Sequence, residues 1–162
     1  MLPAIKKILD EVPSGTSSSE ERDGLLAAEQ KMVANAKKLS LLVTGSASQR
    51  YKQKLADEQE IMGAIADMVI ETFAVDSCLL RARKYVAANG QSKSGLVLAM
   101  TQAYIAGAMP RLEAAAMKVV TAVAKGDVLG TQMAIVHRLA TEDKKEGTSA
   151  FLEKRAPQFC GR

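Results

Sequence analysis

The sequence is poor in the residues from which many functional sites are built. Its 162 residues include no tryptophan, one histidine and two cysteines, and aromatic residues make up 4%. The single histidine, His137, excludes the di-iron site of helical bundles, which needs a Glu-x-x-His motif on two helices. The pattern of Cys78 and Cys160 supports neither a disulfide framework nor a zinc site. We therefore expect no metal, and a reducing, cytoplasmic compartment.

Long apolar runs and basic stripes are also missing. No run of 18 apolar residues occurs, so no spanning helix is expected, and the start MLPAIKKILDEV lacks the apolar segment of a signal peptide. The net charge of +4 comes from bases scattered among acids, which argues against a nucleic-acid partner. The small basic cluster at residues 50–54 is too short for a polybasic anchor, so membrane binding is not expected either.

Good helix formers are abundant instead. Ala, Leu, Met, Lys, Glu and Gln dominate, and apolar residues recur at helical spacing without any strand-like alternation. The pattern predicts an all-α fold, an antiparallel bundle of four main helices with short connections and a short N-terminal helix. The four predicted helices span about 19–54, 57–89, 94–125 and 128–141. A solvated loop at 142–147 and a short last helix near 148–156 are predicted to follow.

The first 18 residues differ from the rest. Residues 3–12 have the spacing of a short amphipathic helix, and PSGTSSSEE is typical of a flexible linker. We therefore predict two parts, an N-terminal helix with a Ser-rich linker at 1–18 and a helical bundle at 19–162. Such an arrangement is typical of a joint between two pieces of a larger protein.

Local signals predict where the helices end or bend. Asp57 and Glu60 have the spacing of a capping box at the start of the second helix, and Gly90 is predicted to end it. Pro110 lies inside the third helix and predicts a kink or a break. Gly107 is predicted to let another helix approach closely.

The second predicted helix, which contains KLADEQEIMGAIADMVIETFAVDSCLLRARK, is apolar on more than one side. Its acids at the front and bases at the back suit the helix dipole and require no catalytic role. So wide an apolar arc must touch several neighbours, which predicts the central helix of the bundle. The arc contains Ile61, Ile65, Met68, Val69, Phe73, Val75, Leu79 and Leu80.

Asp76 and Arg83 fall within this apolar arc. A lone buried carboxylate is costly, so it must be paired or neutral. We predict a structural buried ion pair between Asp76 and Arg83, with Lys37, Lys38 and Arg111 as other candidate partners of the aspartate. The alternative is a general base in a pocket.

The remaining candidates for chemistry are weak. His137 is predicted to lie on a helix surface, and Cys78 lies in mid-helix, where no helix N-terminus activates a thiol. The segment VTGSAS contains one glycine and is no phosphate loop. No nucleophile elbow occurs. We assign no catalytic, cofactor-binding or metal-binding residue in this chain.

Residues 37–84, KKLSLLVTGSASQRYKQKLADEQEIMGAIADMVIETFAVDSCLLRARK, resemble the extra C-terminal helical domain of acyl-CoA dehydrogenases of the very-long-chain type. The resemblance covers the first long helix, the LADEQE turn and the helix after it, and the later GD turn fits the same pattern. It rests on a helical pattern rather than on a catalytic motif.

The resemblance implies a C-terminal structural and dimerisation domain of a flavoprotein oxidoreductase of fatty-acid β-oxidation. In that family a glutamate removes the α proton of an acyl-CoA and the β hydrogen leaves as hydride to FAD. Those residues lie in a catalytic body that precedes the domain, so the fragment is not expected to be catalytic alone. The implied partners are the catalytic body and a second copy.

Two other functions remain open from the residues themselves. The first is a free-standing helical adaptor that binds a partner helix in a groove. The second is an enzyme in its own right, which depends on Asp76 alone.

Overall fold

The computed structural model describes residues 25–152, and the side chains of residues 25–141. It contains four α-helices: α1 (Ala27–Tyr51), α2 (Gln59–Asn89), α3 (Gly95–Val123) and α4 (Gly126–Leu152). Short 3-10 helices at Lys52–Asp57 and Gln91–Lys93 fill the first two connections. The described residues form no strand, and the predicted all-α bundle of four helices is confirmed.

Neighbouring helices run antiparallel. Along each contact, residue numbers rise on one helix and fall on the other, as in the pairs Lys37–Asp76 and Ser40–Thr72 between α1 and α2, and Glu71–Arg111 and Cys78–Thr101 between α2 and α3. Helices α1 and α3 also pack against each other. Helix α2 contacts this central pair from one side and α4 contacts it from another. The outward side of α2 is therefore not covered by another described helix.

The core is built from apolar side chains on the inward face of each helix. The largest of them that are fully buried are Leu39, Val43, Met68, Val75, Ile105, Met109, Leu112, Val119, Val120 and Val136. All four helices contribute, so none of them can be removed without exposing apolar surface. Burial of these faces, rather than helix propensity, is what stabilises helices of this kind.

The ends of α1 and the start of α2 differ from the predictions. Helix α1 begins at Ala27, later than predicted, and Leu26 at its N-cap makes no side-chain capping hydrogen bond. The predicted capping box does not form, because Asp57 lies in the 3-10 helix and α2 starts from Glu58 without a side-chain cap. The positive φ of 52° at Lys52 marks the end of α1.

Gly90 ends α2 as predicted, with φ at 79° and its N–H donated to the carbonyl of Val86. Pro110 does not break α3, which continues on both sides of it. The predicted close approach of another helix at Gly107 is wrong. The atom that a Cβ there would meet is Nη1 of Arg111 on the same helix, at 3.7 Å.

Helix α4 is longer than predicted. It runs to Leu152, so the loop predicted at 142–147 is wrong and no separate helix begins near residue 148. Glu and Lys are good helix formers, and a run of them is compatible with an exposed helix. The predicted N-terminal helix, the Ser-rich linker, the domain boundary after residue 18 and Cys160 lie outside the described residues.

Candidate functional site

Asp76 lies at the seam between α1 and α2 and is paired with Lys37. The Nζ atom of Lys37 is 2.8 Å from Oδ1 of Asp76, and the two side chains are 48% and 30% exposed. The aspartate therefore occupies a partly exposed position, where the sequence predicted a buried one. Its partner in the structure is one of the alternatives that the sequence offered. A contact between Asp76 and Arg83, which is half-buried, stays a prediction.

A second polar contact lies beside this pair. The hydroxyls of Ser40 and Thr72 are 2.8 Å apart, so one donates to the other across the same seam. Hydroxyl pairs of this kind satisfy polar groups that the helix contact would otherwise leave without water. The α1–α2 seam is thus held by polar contacts as well as by apolar packing.

The α2–α3 contact carries a cluster of Glu71, Arg111 and Tyr104. Arg111 donates through Nη2 to Oε1 of Glu71 and through Nη1 to the carbonyl of Gly107, the latter at 2.8 Å. Its guanidinium carbon lies 5.9 Å from the centroid of the Tyr104 ring, within the range of a cation–π contact. Arg111 therefore connects an acidic side chain of α2 to an aromatic side chain of its own helix.

The cluster changes the pKa of two of its members. Partial burial raises the pKa of the Tyr104 hydroxyl, and the negative charge of Glu71 raises it further, while Arg111 opposes the shift. The hydrogen bond with Glu71 raises the pKa of Arg111. Both shifts keep these groups in the protonated form that makes the contacts.

An open depression of about 280 Å³ lies beside this cluster, on the surface between α2 and α3. Its lining residues are Asp67, Met68, Ile70, Glu71, Arg111, Leu112 and Ala115. Arg111 is already engaged by Glu71 and by a backbone carbonyl, so this cation serves the helix contact. Ile70 is exposed at the edge of the depression.

His137 and Cys78 are the other candidates from the sequence. His137 is exposed on α4, as predicted, and its Nδ1 is 2.8 Å from Oε1 of Glu113 on α3. The thiol of Cys78 is 3.8 Å from the hydroxyl of Thr101. Among the described residues, no three His, Cys, Asp or Glu side chains are grouped so that they could hold a metal ion.

Helix α2 is apolar on two sides, and only one of them faces the core. It buries Ile61, Ile65, Met68, Val75 and Leu79, together with smaller residues. The other side carries what we call the outer strip: Met62, Val69, Phe73 and Leu80, with exposures of 42%, 52%, 72% and 56%. Three of these, Val69, Phe73 and Leu80, belong to the arc that the sequence assigned to contacts with neighbours. The described helices provide none there.

Two contacts could not be found from the sequence. The amide of Gln132 on α4 is buried, and its Nε2 donates to Oγ of Ser46 on α1 at 3.2 Å. Glu113 and His137 join α3 to α4. Both contacts depend on the register between helices that lie far apart in sequence, and no local pattern reports it.

Residues 35–138 match the family described as "Acyl-CoA dehydrogenase, C-terminal domain". The chain belongs to this family. The match extends from the middle of α1 to the middle of α4, so the acyl-CoA dehydrogenase C-terminal domain includes the seam, the cluster and the outer strip. None of the helices in the part of the chain described here is long and apolar enough to cross a membrane.

The domain is similar to parts of longer proteins. A "Probable acyl-CoA dehydrogenase" of Bacillus subtilis is 32% identical over 141 residues, which cover 83% of this chain and 24% of that protein. A crystal structure of an acyl-CoA dehydrogenase from Bacillus anthracis, complexed with FAD, matches with a TM-score of 0.74 and 31% identity. That match covers 94% of this chain and 27% of the other. The chain therefore spans about a quarter of the length of these relatives.

Proposed function

We propose that this chain is the C-terminal structural domain of a flavin-dependent fatty acyl-CoA dehydrogenase. The observation that carries the proposal is membership of the C-terminal domain family together with a match to only 24% of the length of a relative. The crystal structure of one relative is complexed with FAD, which supports FAD as the cofactor of the parent enzyme. In this proposal the α,β-dehydrogenation of an acyl-CoA takes place in a catalytic body outside this chain.

The role of the domain itself is structural. Three pairs of its described ionisable side chains join one helix to another: Lys37–Asp76, Glu71–Arg111 and Glu113–His137. The outer strip of α2 offers an apolar surface of the kind that packs against another part of a protein. We propose that the domain packs on the catalytic body of the same enzyme and contributes no reacting group.

Three finer points belong to the same proposal. The very-long-chain type is supported by the resemblance of residues 37–84. A homo-oligomeric parent enzyme is supported by that resemblance as well. A cytoplasmic location is supported by the cysteine usage, since Cys78 is a free thiol in the structure.

The proposal is tested with two purified proteins, the 162-residue chain and the complete polypeptide that contains it. The complete protein is expected to show a flavin spectrum and to reduce an electron-accepting dye when an acyl-CoA is added. The 162-residue chain is expected to show neither. A flavin that copurifies with the isolated chain, or a complete protein without flavin, would contradict the proposal.

The second candidate is a free-standing helical adaptor, and the outer strip favours it as well, because apolar strips on helices also bind partner helices. The two candidates differ in what the complete gene encodes. A flavoprotein body upstream of the domain in the same reading frame would end the adaptor hypothesis.

A further inference from the structure

The outer strip forms one wall of a groove between α1 and α2. Ser40 contacts Thr72 across the seam, and the next residue on each helix is Leu41 and Phe73. A step of one residue turns a helix by about 100°, and because these two helices are antiparallel, both side chains turn to the same side of the seam. Both are exposed, at 49% and 72%. Leu41 and Phe73 thus face outward from opposite walls of one groove.

The residues of α2 that line the groove have the sequence spacing of a surface that binds another helix. Met62, Ala66, Val69, Phe73 and Leu80 are exposed, and they lie on one face of α2. When Asp76 is included, the sequence separations between successive residues of this face alternate between four and three. This is the repeat with which a helix presents a continuous apolar seam to a second helix. Phe73, an aromatic residue near the middle, has the position of an interface anchor.

We propose that this groove holds one helix of the catalytic body. The inference rests on the proposed function, and it specifies which face of the domain docks. The occupant is argued from the length of the relatives, since this chain matches only 24% and 27% of them. Most of the parent polypeptide therefore lies outside this chain and is tethered to it, which favours it over a free partner.

Asp76 acquires a role in this arrangement. On the groove-lining face of α2 it lies between Phe73 and Leu80, and it forms an ion pair with Lys37 of α1 on the opposite wall of the groove. A single polar group within an otherwise apolar seam fixes register, because a shifted partner would bury the charge against apolar side chains. The pair is thus a positioning element for the docked helix.

The test places the photo-crosslinking residue p-benzoylphenylalanine in the complete dehydrogenase, at position 62, 73 or 80 in separate variants. Cross-linked peptides are then identified by mass spectrometry. All three positions are expected to capture one segment of the catalytic body. The same substitution at Leu96, an exposed residue of α3, is the control and is expected to capture other residues or none.

A second variant tests whether the cross-links from position 73 depend on the apolar surface beside it. Val69→Glu places a charge in the seam at an exposed position, so the domain is expected to keep its circular dichroism and melting temperature. The cross-links from position 73 should be lost in this variant. If Val69→Glu loses helical structure, Val69→Ser is used in its place. A reduced yield of cross-links from position 73 is then expected.

Each other outcome overturns the inference. Cross-links from position 73 to residues 1–24, to a second copy of this domain, or to nothing would mean that no body helix occupies the groove. Capture of the body from Leu96 alone would leave the proposed function intact and place the docking face elsewhere, whereas a complete protein without flavin would overturn the proposed function itself.

Discussion

Lys37 and Asp76 join α1 to α2 through a contact of 2.8 Å at the outer edge of their seam. The pair is partly exposed, so water screens the charges, and the side chains lose conformational freedom when they pair. The contact therefore matters more for the position of the two helices than for the free energy of unfolding. This distinction can be measured.

The first prediction concerns the strength of this pair. A double-mutant cycle with Lys37→Met and Asp76→Leu is expected to give a coupling energy of roughly 0.2–1 kcal/mol, the range of exposed ion pairs. The measurement is urea unfolding of the 162-residue chain followed by circular dichroism. A coupling above about 3 kcal/mol, as breaking a buried pair costs, would show that the aspartate is buried in solution.

The second prediction compares a buried methionine with an exposed one. Met68 is 1% exposed in the core, and Met100 is 63% exposed on α3. Met68→Ala is expected to lower the free energy of unfolding by about 2–5 kcal/mol, because it removes buried contacts and leaves a cavity. Met100→Ala makes the same chemical change at the surface and should alter it by no more than about 0.5 kcal/mol. Equal losses from both would mean that the face of α3 carrying Met100 is covered.

The sequence was sufficient for the class of the fold and for several local features. Helix formers and the helical spacing of apolar residues predicted four helices, and a glycine with no Cβ predicted the end of α2 at Gly90. These features depend on residues that are close in sequence. The resemblance of residues 37–84 to the C-terminal domain of acyl-CoA dehydrogenases was confirmed for the same reason, since it rested on one continuous stretch. The very-long-chain type stays a prediction.

Features that depend on helix register could not be predicted. The sequence offered Arg83 as the partner of Asp76 and Lys37 as one of the alternatives, and it could not say which of them lies against the aspartate. The structure places Lys37 of another helix there, and a contact with Arg83 stays a prediction. Apolarity also does not say what covers a side chain. Val69 and Phe73 have the same hydrophobic character as core residues, and the structure leaves them exposed.

The third prediction contrasts two glycines of α2, one inside the helix and one at its end. Gly90 has φ at 79° and ψ at 158°, a conformation that is essentially restricted to glycine and costs a residue with a Cβ roughly 1–3 kcal/mol, so Gly90→Ala is expected to destabilise the chain by about that amount. Gly63 lies inside the same helix, and a Cβ at this position would meet no atom within 4 Å. Gly63→Ala should therefore stabilise the chain by about 0.5–1 kcal/mol.

Urea midpoints of the two glycine variants provide the measurement. The opposite signs are the essential result, because both variants add the same methyl group to the same helix. A stabilising Gly90→Ala would show that α2 ends elsewhere in solution. A destabilising Gly63→Ala would indicate a neighbour at that position outside residues 25–141.

The fourth prediction concerns alkaline pH. The pKa of Tyr104 is raised above its ordinary value of 10.0, first by burial and then by Glu71. The unfolded chain therefore loses this proton first as the pH rises, and the folded state is the one that keeps it. The contribution of Tyr104 to stability is complete below about pH 10 and is lost as the pH rises through the raised pKa.

Tyr104→Phe removes the ionising hydroxyl while it keeps the ring beneath Arg111. Between about pH 9 and pH 11, the urea midpoint of the variant should fall less than that of the unaltered chain. The difference should be small, because the side chain is partly exposed. Tyr85→Phe removes a hydroxyl from another exposed tyrosine, on α2, and serves as the matched control. Equal flattening by both variants would mean that the alkaline sensitivity does not arise from the contact of Tyr104 with Glu71 and Arg111.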